Sequence, residues 1–278
     1  MPISGASGIG SASARQNGQL GRTNRELRKF LERLATAKRI NRASDDAAGL
    51  SISEQLKSQV RSLKMASRNV DDAVSALRIA DGGAGEIGEM LQRQRELSIQ
   101  AGNATLSDTD RQALDIEFQQ LTEEIQRIAG GTEFNRQEVA DGTGLASGDA
   151  VVQAGANAED QLNLPQVDLT SATLGLPSLS IASASGASAA ISSLDTALDS
   201  VNGQRSTIGA MMNRLTSAGN NLQVEEANMT AAQSAIADQD MAAGLVELSR
   251  QQLLQEGGIK AFQRFNDINA NHILALLR

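Results

Sequence analysis

The chain has 278 residues, 33 Asp+Glu against 25 Lys+Arg, no Cys, Trp or Tyr, five Phe and a single His. No disulfide framework, CxxC redox pair or thiolate nucleophile is available, and one histidine (His272) excludes a HExxH zinc site. With 2% aromatic and 40% hydrophobic residues, many of them Ala, the chain lacks the bulky side chains of a thick globular core and suits close helix–helix packing.

Residues 1–26 are rich in Gly and Ser and lack the apolar core of a secretory signal. They imitate a transit peptide in being Ser- and Arg-rich, but heptad spacing continues from Leu20 with no cleavage-like break. Residues 1–42 hold nine Lys/Arg against two Glu, a net of +7, and the remainder carries −15. A basic arm can bind nucleic acid, but one aromatic, Phe30, gives poor support for base stacking. A solvated or partner-facing helix surface is the expectation, with no nucleic-acid or membrane partner.

Glycines 5, 8, 10, 18 and 21 weaken the first segment, whose apolar positions are Leu20, Leu27, Leu31 and Leu34. Such a stripe has no core of its own and is expected to order only on association. Ser44-Asp45-Asp46 then presents side-chain oxygens that can cap a helix N-terminus. A helix over about 45–100 is expected, with the series Leu56, Val60, Leu63, Ser67, Val70, Val74, Leu77 along its seam. Its glycines at 82, 83, 85 and 88 predict a bend or looser packing, not a break. Asp45-Asp46 do not make a catalytic pair, because adjacent helical residues diverge by about 100°. Gly82-Gly83-x-Gly85 follows no strand and lacks the Lys-Ser/Thr of a phosphate loop.

Ser107-Asp108 caps the next helix, which carries Leu114, Phe118, Leu121, Ile125 and Ile128, ends near Gly130-Gly131 and runs antiparallel to its predecessor. Residues 131–180 turn to Gly, Ser, Thr, Asn and Asp and hold both internal prolines. Val151-Val152-Gln153 and Val167-Asp168-Leu169 read as short strands. A return helix over about 188–233 places Leu194, Leu198, Val201, Arg205, Ile208, Met212, Leu215, Gly219 and Leu222 on its seam. A last helix over about 238–276 carries Leu245, Leu248, Ile259, Phe262, Ile273 and Leu277. The fold expected is mainly α: long helices folded back as a coiled coil or bundle, a small hairpin-rich tip, and paired terminal helices.

Several segments then resemble the bacterial flagellin family. RINRASDDAAGL at 39–50 matches its signature at Arg39, Ile40, Asn41, Asp45, Asp46 and Gly49, among others. MLQRQRELSIQAGN at 90–103, GGTEFN at 130–135, VVQAGAN at 151–157, ATLGL at 172–176 and the ILALLR ending keep the family's order and spacing. Departures are Ala37 where the family usually has Gly, Arg136 where it has a turn glycine, and the Gly-rich opening at 5–11.

The resemblance implies a non-enzymatic subunit without cofactor, exported by the flagellar type III route without a cleaved signal, that polymerises into an extracellular filament for motility. It divides the chain into filament-core segments at 1–42 and 236–278, bundle segments at 43–130 and 188–235, and a minimal variable region at 131–187. It implies self-association, with an export chaperone, filament cap and hook–filament junction proteins as partners. The family positions that meet the animal innate flagellin receptor match Arg93, Leu97 and Glu117, expected first as subunit contacts. Some members carry O-glycans, which makes Ser/Thr of 143–193 candidates. Two rival functions are a hook–filament junction protein and a coiled-coil nucleic-acid adaptor. A metallopeptidase-bearing variant is excluded by the single His.

Overall fold

The computed structural model describes residues 4–276, with side chains for 14–271 other than 16 and 269. Five helices carry the fold: α1 (Ser4–Thr36), α2 (Ala47–Ala101), α3 (Asp108–Gly131), α4 (Ala184–Ala237) and α5 (Met241–Leu276). Between α3 and α4 lie two antiparallel ribbons, β1 (Glu133–Phe134) with β2 (Gln137–Glu138), and β3 (Val151–Gln153) with β4 (Gln161–Asn163). The architecture is mainly α with hairpins, and its helices follow in the order the sequence predicts. Contacts divide the chain into two compact units: Gln59–Asn228, and the chain up to Ser58 together with that from Met229 onward.

In the unit Gln59–Asn228 the helices pack along 3–4 seams. Leu63, Ala66, Val70, Ala73, Leu77, Ala80, Ala84, Ile87, Leu91, Gln94, Ser98 and Ala101 of α2 are all buried. The seven-residue steps from Leu63 and Val70 are as expected. The alternate positions are the alanines 66, 73 and 80, and Ser67 is only half-buried. Small residues there let backbones approach, and partner side chains fill the space. The same holds on α4, where Leu194, Val201, Ile208, Leu215 and Leu222 are buried but Ala197, not Leu198, completes the seam. Arg205 is exposed and paired to Asp81, so the seam passes through half-buried Gln204.

Ion pairs fix the direction of α4 against α2. Lys64–Glu226 (3.5 Å), Asp81–Arg205 (2.9 Å) and Arg95–Asp195 (2.7 Å) show numbering rising on one helix and falling on the other. α3 also returns antiparallel: Arg93 meets Glu117, and the Gln94 amide donates to Phe118 O and Thr122 Oγ1. The Ser107 capping box opens α3. Arg111, buried at its first turn, donates to Ala101 O (2.9 Å), satisfying the free carbonyl where α2 ends, and joins Leu106 N–H at Asn103 O (3.0 Å).

Two expectations fail. α2 passes unbroken through glycines 82–88 as expected, but the looser packing is not found: Ala84 and Ile87 are fully buried. A Cβ on Gly83 would stand 2.9 Å from Thr132 Oγ1, so this glycine serves close approach. Val167–Leu169 is not a strand, since Asp168 forms only an isolated bridge to Asp141. Its alternation reflects insertion of Val167 and Leu169 into the core while Gln204 clamps the Asp168 backbone, accepting from its N–H (3.0 Å) and donating to its carbonyl (2.8 Å). Similar side-chain clamps on irregular backbone come from Gln119 (to Leu179 O), Gln126 (from Ser171 N) and Asp115 (from Ile181 N), and Asn69 bonds the end of β3 at Gln153 O. They supply the hydrogen bonds that a larger sheet would otherwise provide.

Candidate functional site

Exposed large apolar side chains cluster on α5 in the unit holding both chain ends, although Ile99, Ile116 and Val224 of the other unit are exposed too. α1 and α5 run antiparallel: Asn24 accepts from Gln255 (2.7 Å), Gly258 faces Leu20 and Gly244 faces Leu34. The α1 seam is Leu20, Thr23, Leu27, Phe30 and Leu34, all half-buried; the α5 seam is Gly244, Leu248, Gln251, Gln255, Gly258, Phe262 and Phe265. Two glycines act as holes for leucine knobs. A Cβ on Gly244 would stand 2.9 Å from Leu34 Cδ2, and one on Gly258 3.2 Å from Leu20 Cδ2.

The pair remains short of a core. No described side chain of α1 is buried. Leu31, Leu245 and Ile259 lie off the seam and are exposed, as are Val246 (73%), Leu253 (70%), Leu254 (55%) and Ile268 (57%). The Ile273 side chain and Leu277 lie outside the described residues. An apolar second face on a helix that already has a partner marks a surface awaiting further copies or other proteins.

The signature segment joins α1 to α2 and meets the α4–α5 junction. Arg39 N–H donates to Ala237 O (2.8 Å), Gln239 N–H to Ala37 O (3.0 Å), and the Arg39 guanidinium to Ile236 O (2.7 Å). Asn41 ties the turn to α1 through Thr36 Oγ1 (2.7 Å), and Ile40 is buried below it. Ala37 adopts φ +54°, a left-handed conformation that costs an alanine about 1–2 kcal/mol and explains why glycine suits this position.

The two adjacent carboxylates divide their work. Asp46 is the N-cap of α2: its Oδ1 accepts from Gly49 N–H (2.8 Å). Asp45, only 5% exposed at its side chain, faces α1, pairs with Lys29 Nζ (2.8 Å), lies 4.0 Å from Arg33, and accepts from the Asn41 and Arg42 N–H groups. The Lys29 contact leads in holding its carboxyl below the usual carboxylate range. Gly49 is required by its neighbours, since a Cβ there would fall on Asp46 Oδ2 and 2.8 Å from Ile40 Cδ1.

Arg93 and Glu117 form an exposed pair across α2 and α3 (2.8 Å), which raises the Arg93 pKa, with Glu96 adding a second contact. Leu97 is a correction. It was expected to share their surface, but it is 1% exposed and belongs to the bundle interior. Residues four apart sit about 40° apart around a helix, which suffices to carry one from the exposed face into the core. The sequence reading also missed Arg111, Gln94 and the glycine holes 244 and 258. Gln94 breaks an otherwise apolar seam and shows only against Thr122; the glycines fall on the α5 seam with Leu248 and Phe262, a register legible in hindsight.

Among the described residues no group of three His, Cys, Asp or Glu could hold a metal ion, and no helix is long and apolar enough to cross a membrane. What the geometry offers is packing surface.

Comparison with known proteins points the same way. The profile of the bacterial flagellin N-terminal helical region matches residues 10–145, and that of the bacterial flagellin C-terminal helical region matches residues 191–277. The chain is 41% identical over 253 residues to the flagellin of Halalkalibacterium halodurans, covering 90% of this chain and 91% of the relative. It is 36% identical to the flagellin of Bacillus subtilis and 36% to the flagellar filament 30.7 kDa core protein of Treponema maltophilum, each covering 94% of this chain and 95% of the relative. The crystal structure of Bacillus cereus flagellin superposes with a TM-score of 0.50 at 36% identity, over 60% of this chain and 94% of that one. A flagellar hook-associated protein of Vibrio parahaemolyticus reaches a TM-score of 0.59, but at 15% identity that likeness concerns the fold alone.

Proposed function

The chain belongs to the bacterial flagellin family and is a structural subunit of the flagellar filament, not an enzyme; we propose that it assembles through its terminal helix pair. The observation that carries this is the exposed apolar face of α5, with Val246 and Leu253 at 73% and 70% exposure, beside an α1–α5 seam that is only half-buried. Residues 1–42 and 236–278 form the filament-core segments, 43–130 and 188–235 the bundle, and 131–187 the minimal variable region. Leu20, Leu27, Leu34, Leu248 and Phe262 hold the two helices together, while Leu31, Leu245 and Ile259 remain for neighbours.

Export follows the flagellar type III route, and an export chaperone, the filament cap and the hook–filament junction proteins are transient partners. Arg93 and Glu117 serve subunit contact. Recognition by the animal innate receptor rests on those two alone while Leu97 is buried; no response of reporter cells to purified monomer removes it.

Seeded polymerisation followed by electron microscopy tests the main reading. Monomer should form tubes, whereas chains lacking 1–40 or 240–278 should keep a folded bundle and fail to assemble. Normal polymerisation by either deletion refutes the assignment.

A further inference from the structure

The α1 seam leaves heptad positions on the opposite side of the helix facing away from α5. Counting from Leu20 and Thr23 as seam positions, these outward positions hold Arg15, Arg22, Arg25, Arg28 and Lys29. All five are exposed. Of the acids beside these positions, Glu32 is paired to Arg42 and exposed Glu26 lies on the flank one turn from Arg22, while Lys29 is committed to Asp45. Arg15, Arg22, Arg25 and Arg28 have no ion-pair partner among the described residues, and they extend over about 20 Å of helix. The single aromatic of the segment, Phe30, is turned into the seam, so the stripe has no stacking group for a nucleic acid.

The opposite charge is present on the same chain. Residues 59–228 hold 23 Asp+Glu against 11 Lys+Arg, a net of −12, while the rest of the chain carries +4. Part of this excess is exposed and unpaired on one side of α2: Glu86 and Glu89, three apart, have no ion-pair partner among the described residues.

We propose that the outer face of α1 is a cationic docking surface for the acidic bundle of a second copy, with Arg22, Arg25 and Arg28 meeting the side of α2 that carries Glu86 and Glu89. The proposal deepens the filament-subunit reading and rests on it. Complementary surfaces of this kind steer encounter and fix register more than they add affinity, and screening by salt weakens them.

The test uses full-length protein and seeded polymerisation at low and high salt. The triple substitution Arg22→Glu, Arg25→Glu, Arg28→Glu touches no hydrogen bond or ion pair among the described residues, so helicity and urea unfolding of the monomer should be unchanged. Its critical concentration at low salt should rise tenfold or more, and its salt dependence should flatten or reverse. Copolymerisation with the reciprocal Glu86→Lys, Glu89→Lys chain should restore assembly. An unchanged critical concentration overturns the proposal, as does a loss that the reciprocal chain does not restore. Duplex DNA shifted by the wild-type monomer but not by the variant, with polymerisation unaffected, assigns the stripe to nucleic acid and also overturns it. Failure of wild-type protein to polymerise at all refutes the filament reading instead, so the two failures are distinguishable.

Discussion

Gly49→Ala and Gly88→Ala are the same substitution in the same helix, and the structure gives them opposite signs. At Gly88 nothing lies within 4 Å of an added Cβ, so alanine brings only its helix propensity, about 1 kcal/mol of stabilisation. At Gly49 the new methyl would fall on Asp46 Oδ2 and 2.8 Å from Ile40 Cδ1, and Ile40 is 5% exposed. Asp46 must swing away, losing the cap bond to Gly49 N–H at a cost of about 1 kcal/mol. Displacing a buried isoleucine costs about 1–3 kcal/mol more. After the propensity gain the net loss is about 1–3 kcal/mol, an increase of roughly 5–150-fold in the population of the locally opened turn. Amide hydrogen exchange on the monomer reads this directly at Gly49 and Leu50, whose N–H groups bond Asp46. Thermal unfolding reads the gain at Gly88. Protection at residue 49 that is unchanged or raised in the Gly49→Ala variant refutes the cap-and-packing reasoning. A destabilised Gly88→Ala variant shows that the space around α2 is misjudged.

Asp45 gives a pH effect. With its folded pKa lowered chiefly by Lys29, its contribution is complete above the ordinary carboxylate pKa and is lost as pH falls through the depressed folded value. Asp45→Asn should abolish that acid-side loss of exchange protection at the turn and reduce protection at neutral pH. Arg111→Met leaves the carbonyl of Ala101 without its guanidinium donor and leaves Asn103 O with the Leu106 N–H alone, and should cost about 2 kcal/mol, lowering the Tm of a unit this size by about 4–8 °C in circular dichroism melts. Asn135 and Arg136 both have positive φ (51° and 64°) in the two-residue turn between β1 and β2. Arg136→Gly should stabilise by about 0.5–1 kcal/mol, relief of strain exceeding the greater freedom of glycine in the unfolded chain, and Tm should rise by about 1–4 °C.

Much of this protein is legible in its sequence because heptad spacing and capping are local. Leu63, Val70 and Leu77, or Leu194 to Leu222 in steps of seven, state that a helix has one buried line, and Ser107 and Asp46 state where helices begin. Composition alone foretold thin, alanine-lined seams. The family signature was legible as a word, but its mechanics were not. Only the folded chain shows that Asp45 turns back to Lys29 while Asp46 caps α2, because adjacent carboxylates point in different directions and their partners lie 16 residues upstream or three downstream. The second residue of each seam also depends on the neighbour: Ala66 or Ser67, Ala197 or Leu198 is decided by which backbone must come close, a property of two helices together. Leu97, expected at the surface, and Arg111, which the sequence reading missed, are both buried for the same reason. An apolar residue and a charge each go where the adjoining helix offers a core or unsatisfied carbonyls, and that offer exists only in the tertiary structure.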